Sequence, residues 1–147
     1  MWIRPSIPSD RDTLLDIWWR SARATHAFLT ESDIESLRPA VRDYLASPDL
    51  ELWTLCSDQS QPIGFMGLAD NHVESLFVAP DHLRRGAGRM FLAHARRLKG
   101  PLRVDVNEQN PEALKFYEAN GFQVVGRSPV DDAGRPFPLL HLREVAR

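Results

Sequence analysis

The chain has 147 residues and a formal net charge of −2, with 43% hydrophobic and 26% charged residues. These values exclude a disordered or fibrous chain and predict one domain over residues 1–147. Cys56 is the only cysteine, which excludes an internal disulfide and a cysteine-based zinc site, and no metal is expected.

Residues 2–5 read as a short strand. Ser9-Asp10 offers an N-cap, and Leu14, Ile17, Trp18 and Ala22 recur at helical spacing, predicting a helix over about residues 10–24. Ile34, Leu37, Val41, Tyr44 and Leu45 form a second helical stripe, in which Pro39 is expected to kink the helix or split it. Segments 51–57 and 62–69 flank the polar turn Asp58-Gln59-Ser60-Gln61 and read as a hairpin. Segment 72–79 is the next strand, and simple alternation places His72, Glu74, Leu76 and Val78 on one face.

A helix is expected from Gly86-Ala87-Gly88 to about residue 99, stopped by Gly100-Pro101, and then a strand over 102–107. Asn110 suits an N-cap before Pro111, and that helix ends at Asn120-Gly121. Strands at 122–128 and 138–144 enclose the turn-rich Asp131-Asp132-Ala133-Gly134. The order is β-α-α-β-β-β-α-β-α-β-β. Its central strand–helix–strand crossover implies one parallel pair in a mixed, mostly antiparallel α/β (α+β) sheet flanked by helices. No apolar run reaches the roughly 18–20 residues of a membrane span, and Met1-Trp2-Ile3-Arg4-Pro5 has no signal-like pattern. A cytoplasmic protein without a membrane partner is therefore expected.

The small net charge conceals an asymmetry. Segment 82–103 carries Arg84, Arg85, Arg89, Arg96, Arg97, Lys99 and Arg103 and no acid, leaving −9 for the remainder. Such a segment in an acidic chain points to one phosphate-bearing ligand rather than to a nucleic-acid surface. For Arg96, Arg97 and Lys99 the simpler reading is a solvated last turn that complements the helix dipole. Around Arg84, Arg85, Gly86, Ala87, Gly88 and Arg89 a strand feeds a glycine-rich helix start, whose free N–H groups and dipole favour an anion. The loop lacks the G-K-[ST] ending of a triphosphatase loop and the third glycine of a dinucleotide fold.

The block Asn110, Ala113, Phe116, Tyr117, Gly121, Phe122, together with the glycine loop, resembles the GNAT superfamily of acetyl-CoA-dependent N-acetyltransferases. The element order agrees along essentially the whole chain. Ala24-Thr25-His26, Gly64-Phe65-Met66, Asn107-Glu108-Gln109-Asn110 and Val130-Asp131-Asp132 carry a closer likeness to small bacterial YjaB-type acetyltransferases.

The resemblance implies that backbone groups around Arg84–Arg89 bind the pyrophosphate of acetyl-CoA. The strand at Leu76, Phe77 and Val78 would pair with the pantetheine arm, with the Leu76 N–H on the thioester carbonyl. Asn110 would contact the same arm, and Phe116 would border it. Coenzyme A is the product. One departure stands out: Leu83 and Arg84 replace the Gln or Arg and the Gly that the family often carries there.

Tyr117 matches the family's general acid, and a phenol near pKa 10 can protonate a thiolate whose acid lies near roughly 8.5. The other reading of Tyr117 is core packing beside Phe116. Freeing the lone pair of an amine near pKa 10.4 costs roughly 4–5 kcal/mol at pH 7, so a base is sought. His72 sits where many members carry a catalytic Glu, and an imidazole suits the task. Glu74 is the rival, and an amine that arrives neutral is the third route.

Trp18, His26 and Phe28 are candidate acceptor-site residues, each with core packing as the simpler alternative. The expected partner is a small-molecule or protein amine, without nucleic acid, and the chain is a monomer or homodimer. The different-class alternative is an acyl-CoA-binding sensor or an inactive scaffold, and a nucleic-acid module is the third.

Overall fold

The computed structural model describes residues 1–145. In chain order these form β1 (Trp2–Pro5), α1 (Arg11–Thr25), α2 (Glu31–Leu45), β2 (Glu51–Cys56), β3 (Pro62–Ala69) and β4 (His72–Val78). After them come α3 (Ala87–Lys99), β5 (Arg103–Asn107), α4 (Pro111–Ala119), β6 (Phe122–Ser128) and β7 (Leu139–Glu144). One sheet of order β1-β2-β3-β4-β5-β7-β6 runs through the molecule. Among the described residues only β4 and β5 pair in parallel. The sequence-based order agrees with this one, with boundaries shifted by about one residue.

Alternation along the inner strands divides the apolar side chains between two cores. Met66, Leu68, Val73, Val78, Val104, Val106 and Leu142 pack with Phe91 and Leu92 of α3 and with Tyr117 of α4. On the other face, Phe65 packs with Leu14, Ile17 and Trp18 of α1 and with Ile34 and Leu45 of α2.

Two helical expectations change. Asp10 precedes α1 but makes no side-chain cap to it. Its buried carboxylate instead accepts from Ile7 N at 2.9 Å and from both guanidinium nitrogens of Arg4, at 2.7 and 2.9 Å, tying β1 to the start of α1. Pro39 does not split α2, which runs unbroken across it. That proline is exposed, so the carbonyl it leaves unbonded meets water while the opposite stripe stays packed on the sheet.

The expected common face of His72, Glu74, Leu76 and Val78 is overturned by a β-bulge. Gly67 opposes Ser75 but Leu68 opposes Val73, so Glu74 is an extra residue in β4. Val73 therefore shares the α3/α4 core with Leu76 and Val78, and His72 falls on the other face. The bulge is stitched by Ser75 Oγ, which accepts from Gly67 N at 3.1 Å and lies 2.7 Å from Tyr44 Oη.

The parallel β4/β5 ladder has two rungs, His72↔Arg103 and Val73↔Val104. Beyond them the strands separate, while β5 continues along β7 for five residues. On the β3 side, Ala79 N donates to Ile63 O at 2.8 Å. Antiparallel alternation then makes Phe77↔Phe65 a bonded pair and turns the main-chain groups of Leu76 and Val78 toward the opening.

Candidate active site

The opening between β4 and β5 is bordered by the start of α3. The chain reaches it through two residues in the left-handed region, Arg84 at φ 63° and Gly86 at φ 82°. An L side chain is disfavoured there by about 1–2 kcal/mol, so Arg84 occupies a conformation that suits the glycine the family often has. Gly86 caps α3 without a side-chain hydrogen bond, and the first turn holds no acid. Arg84, Arg85 and Arg89 are exposed, and none enters an ion pair among the described residues. Ala87 is buried beneath them. Two of the later basic residues are committed elsewhere: Arg96 to Glu144 Oε2 at 2.7 Å and to Asn120 O at 2.8 Å, Lys99 to Glu51 Oε1 at 2.8 Å.

Gly88 brings α3 against α4, since a Cβ there would stand 2.6 Å from Phe116 Cζ. Asn110 caps α4, its Oδ1 accepting from Ala113 N at 3.3 Å. Tyr117 is 8% exposed and packs edge-on between Phe116 at 5.0 Å and Phe122 at 5.2 Å. Burial raises its phenol well above the ordinary range.

On the opposite face, a pocket of about 200 Å³ brings together Trp18, His26 and Phe28, the three acceptor candidates. Asn107, Asp131, Arg135 and Phe137 also line it, with the apolar Ala22, Leu29 and Leu37. Arg135 and Phe137 escaped the sequence reading because a distant turn-rich loop folds onto the α1–α2 connection, Phe137 lying 6.1 Å from Phe28. His26 stacks 6.0 Å from Phe77 of β4, and burial lowers its imidazole below the ordinary value. Trp19 faces away, with Arg38 4.9 Å and Arg23 5.4 Å from its ring. A larger, open depression of about 740 Å³ lies by Asp70, Lys99, Arg103 and Arg143, at the opposite end of β5 from Asn107. It touches none of the candidate residues.

The bulge leaves His72 and Glu74 adjacent, with His72 Nδ1 3.0 Å from Glu74 Oε1. The other ring nitrogen, Nε2, is buried and lies 3.3 Å from Asp105 Oδ2. Its direction is unsuited to a hydrogen bond, and it has no other partner among the described residues. Asp105 Oδ1 lies 2.6 Å from His141 Nδ1, and His141 Nε2 lies 2.7 Å from Ser128 Oγ. Asp105 and His141 were invisible in the sequence, being 36 residues apart and joined only by the β5/β7 register. Among the described residues, no group of three or more His, Cys, Asp or Glu is arranged as metal ligands.

Residues 48–124 match the acetyltransferase (GNAT) domain family. The chain is 44% identical over 140 residues to the peptidyl-lysine N-acetyltransferase YjaB of Salmonella typhimurium, covering 95% of each protein. It is 28% identical over 136 residues to the peptidyl-lysine N-acetyltransferase YiaC of Escherichia coli, covering 91% of each. The solution structure of apo-form YjaB from Escherichia coli superposes with a TM-score of 0.91 at 42% identity, over 99% of this chain and 98% of that one. The PaiA N-acetyltransferase of Thermoplasma acidophilum, solved in complex with coenzyme A, shares the fold at a TM-score of 0.76 and 21% identity, over 99% and 100%. No helix is long and apolar enough to cross a membrane among the described residues.

Proposed function

The chain belongs to the GNAT family of N-acetyltransferases, and on that premise we propose that it transfers acetyl from acetyl-CoA directly to a lysine side chain of a protein. The observation that carries this reading is the two-rung β4/β5 ladder opening beside an uncapped, acid-free, arginine-flanked helix start. An elongated ligand with an amide-rich arm and a polyanionic end fits those two features together. The main-chain groups of Leu76 and Val78 face the opening, while Arg84, Arg85, Arg89 and the N–H groups from Gly86 to Arg89 stand at its mouth. Asn110 and Phe116 flank the arm from α4. The ligand supplies an acetyl group activated as a thioester.

The chain's own residues then divide the proton work. Tyr117, kept protonated by burial, donates to the departing thiolate and returns to its neutral form after each transfer. Phe77 separates the opening from the acceptor pocket, and Trp18, His26 and Phe28 border the incoming side chain. A cationic amine suits the acidic remainder of the chain, and the named activity of the YjaB and YiaC relatives selects peptidyl-lysine among amines. His72 with Glu74 takes the amine proton, whose removal costs roughly 4–5 kcal/mol at pH 7. Direct transfer needs both substrates present at once.

Tyr117→Phe tests the reading while keeping the ring packing. It is expected to lower acetyl transfer to a lysine peptide by roughly 100-fold with unchanged coenzyme A affinity by calorimetry. A rate within twofold of wild type removes Tyr117 as general acid. Coenzyme A heat without transfer to any amine favours the acyl-CoA sensor, for which the Leu83-Arg84 departure leaves room.

A further inference from the structure

We propose that Asp105, His141 and Ser128 extend His72 into a proton relay that carries the acceptor amine's proton across the sheet face to solvent, with Asp105 and His141 as positioning residues. The source of that proton rests on the acetyl-transfer reading above. The relay itself rests on an arrangement of side chains that is independent of it.

Five groups from four strands stand in one line. Glu74 Oε1 lies 3.0 Å from His72 Nδ1, His72 Nε2 3.3 Å from Asp105 Oδ2, Asp105 Oδ1 2.6 Å from His141 Nδ1, and His141 Nε2 2.7 Å from Ser128 Oγ. Both rings enter the line through Nδ1 and leave through Nε2, so the groups are arranged head to tail. An imidazole passes a proton by accepting on one nitrogen and releasing from the other, and a carboxylate by using its two oxygens. Two bulges build this geometry. Glu74 is the extra residue in β4, and Val125 is the one skipped where Val124 opposes Leu142 and Gly126 opposes His141 in β6.

Exposure along the line fits transport. The side chains of Glu74 and His141, toward its ends, are 35% and 36% exposed, whereas His72 is 12% exposed. The weak link is the buried His72 Nε2, near Asp105 yet misaligned. Apo catalytic contacts are often misaligned until substrate closes them, so this nitrogen is the gate of the line. Asp105 lies two residues before Asn107 of the acceptor pocket wall, on the same face of β5.

The proton balance requires such an exit. A charged amine loses one proton to become nucleophilic and a second when its N–C bond forms. The thiol that departs as the C–S bond breaks takes one, through Tyr117, which the second amine proton refills. One net proton per turnover remains for Glu74 and His72 to pass outward. Other charged or titratable groups flank His72. Arg103, in register with it, donates from Nε to Asn71 Oδ1 at 3.2 Å, with Arg143 across on β7. Tyr44 of α2 bonds to Ser75, and burial raises its phenol to about 12.

The test uses Asp105→Asn and His141→Gly in the full chain. Asp105→Asn is expected to reduce kcat at least tenfold, to move the acid limb of the kcat/KM profile to lower pH, and to leave coenzyme A affinity within twofold. His141→Gly is expected to lose a similar factor and to recover at least half of it with added imidazole, which a purely structural role would not show. Ring nitrogen NMR of the free protein supplies a readout independent of acetyl transfer: Asp105→Asn is expected to shift the signals of both His72 and His141. A change confined to His141, or kcat within twofold and an unmoved acid limb, overturns the relay. Should Asp105→Asn not fold, Ser128→Ala carries the same measurement, with a shift of the His141 Nε2 signal and a twofold or greater loss of kcat expected; neither change overturns it. Wild-type protein that acetylates no amine would refute the transfer reading, while the NMR result still decides the relay.

Discussion

At the start of α2, Thr30 Oγ1 accepts from Asp33 N at 3.0 Å, Asp33 Oδ2 accepts from Thr30 N at 2.9 Å, and Glu31 adds a second acid to the turn. At the start of α3, Gly86 offers no side chain, no acid follows, and three exposed arginines surround the turn. Both helices are of similar length, 15 and 13 residues, and both begin with the same surplus of unbonded N–H groups. The first helix satisfies Thr30 N and Asp33 N from its own side chains, and the consequence is stability. The second leaves it available, and on the function proposed above that is where the anionic end of the ligand would sit, at the mouth of the β4/β5 opening.

Three substitutions sharpen that contrast. Replacing Arg84, Arg85 and Arg89 together with alanine has the largest expected effect. Each charge at the helix start is worth roughly 0.3–1 kcal/mol, so coenzyme A affinity falls by roughly 5- to 100-fold in calorimetry, and its salt dependence flattens. An affinity unchanged by the triple variant would separate the arginines from the ligand.

Thr30→Ala comes next and acts on the other side of the comparison. Loss of the cap costs about 1 kcal/mol, which for a chain of this size lowers Tm by roughly 2–4 °C, with coenzyme A affinity unchanged. A change in affinity would show that α2 contributes to the ligand after all. The smallest effect is expected for Arg84→Gly. Relief of the left-handed strain at φ 63° raises Tm by roughly 1–2 °C while the lost charge weakens coenzyme A binding about twofold. A lower Tm would mean that the Arg84 side chain makes stabilising contacts that outweigh its backbone.

Local signals made most of the fold legible. Asn110-Pro111, Gly86-Ala87-Gly88 and the stripes of α1 and α2 depend on residues within two turns of one another. What escaped depends on contacts across the chain. The phase of β4 turns on Ser75, whose hydroxyl meets Tyr44 at a separation of 31 residues, so period-two alternation misplaced His72. Pro39 was expected to kink or split α2, and the split does not occur because the backbone cost is local while the packing that offsets it is not. In the site, Asn110 as the cap of α4 and the glycine-flanked start of α3 were readable from spacing. Asp105 and His141 became visible only when the β5/β7 register set them side by side.

The two-rung ladder between β4 and β5 also has a mechanical meaning. Strands β1–β4 form one plate and β5–β7 another, and the seam joining them is far shorter than any other in the sheet. Each plate carries its own long antiparallel pairings, so the plates are stiff and the seam between them is compliant. Amide exchange in the free protein should therefore be fastest along the unpaired edge at Leu76 and Val78 and slow at Phe65 and Leu142, deep within each plate. A linear ligand lodged along the seam would act as a spline, adding the hydrogen bonds that a neighbouring strand would have made.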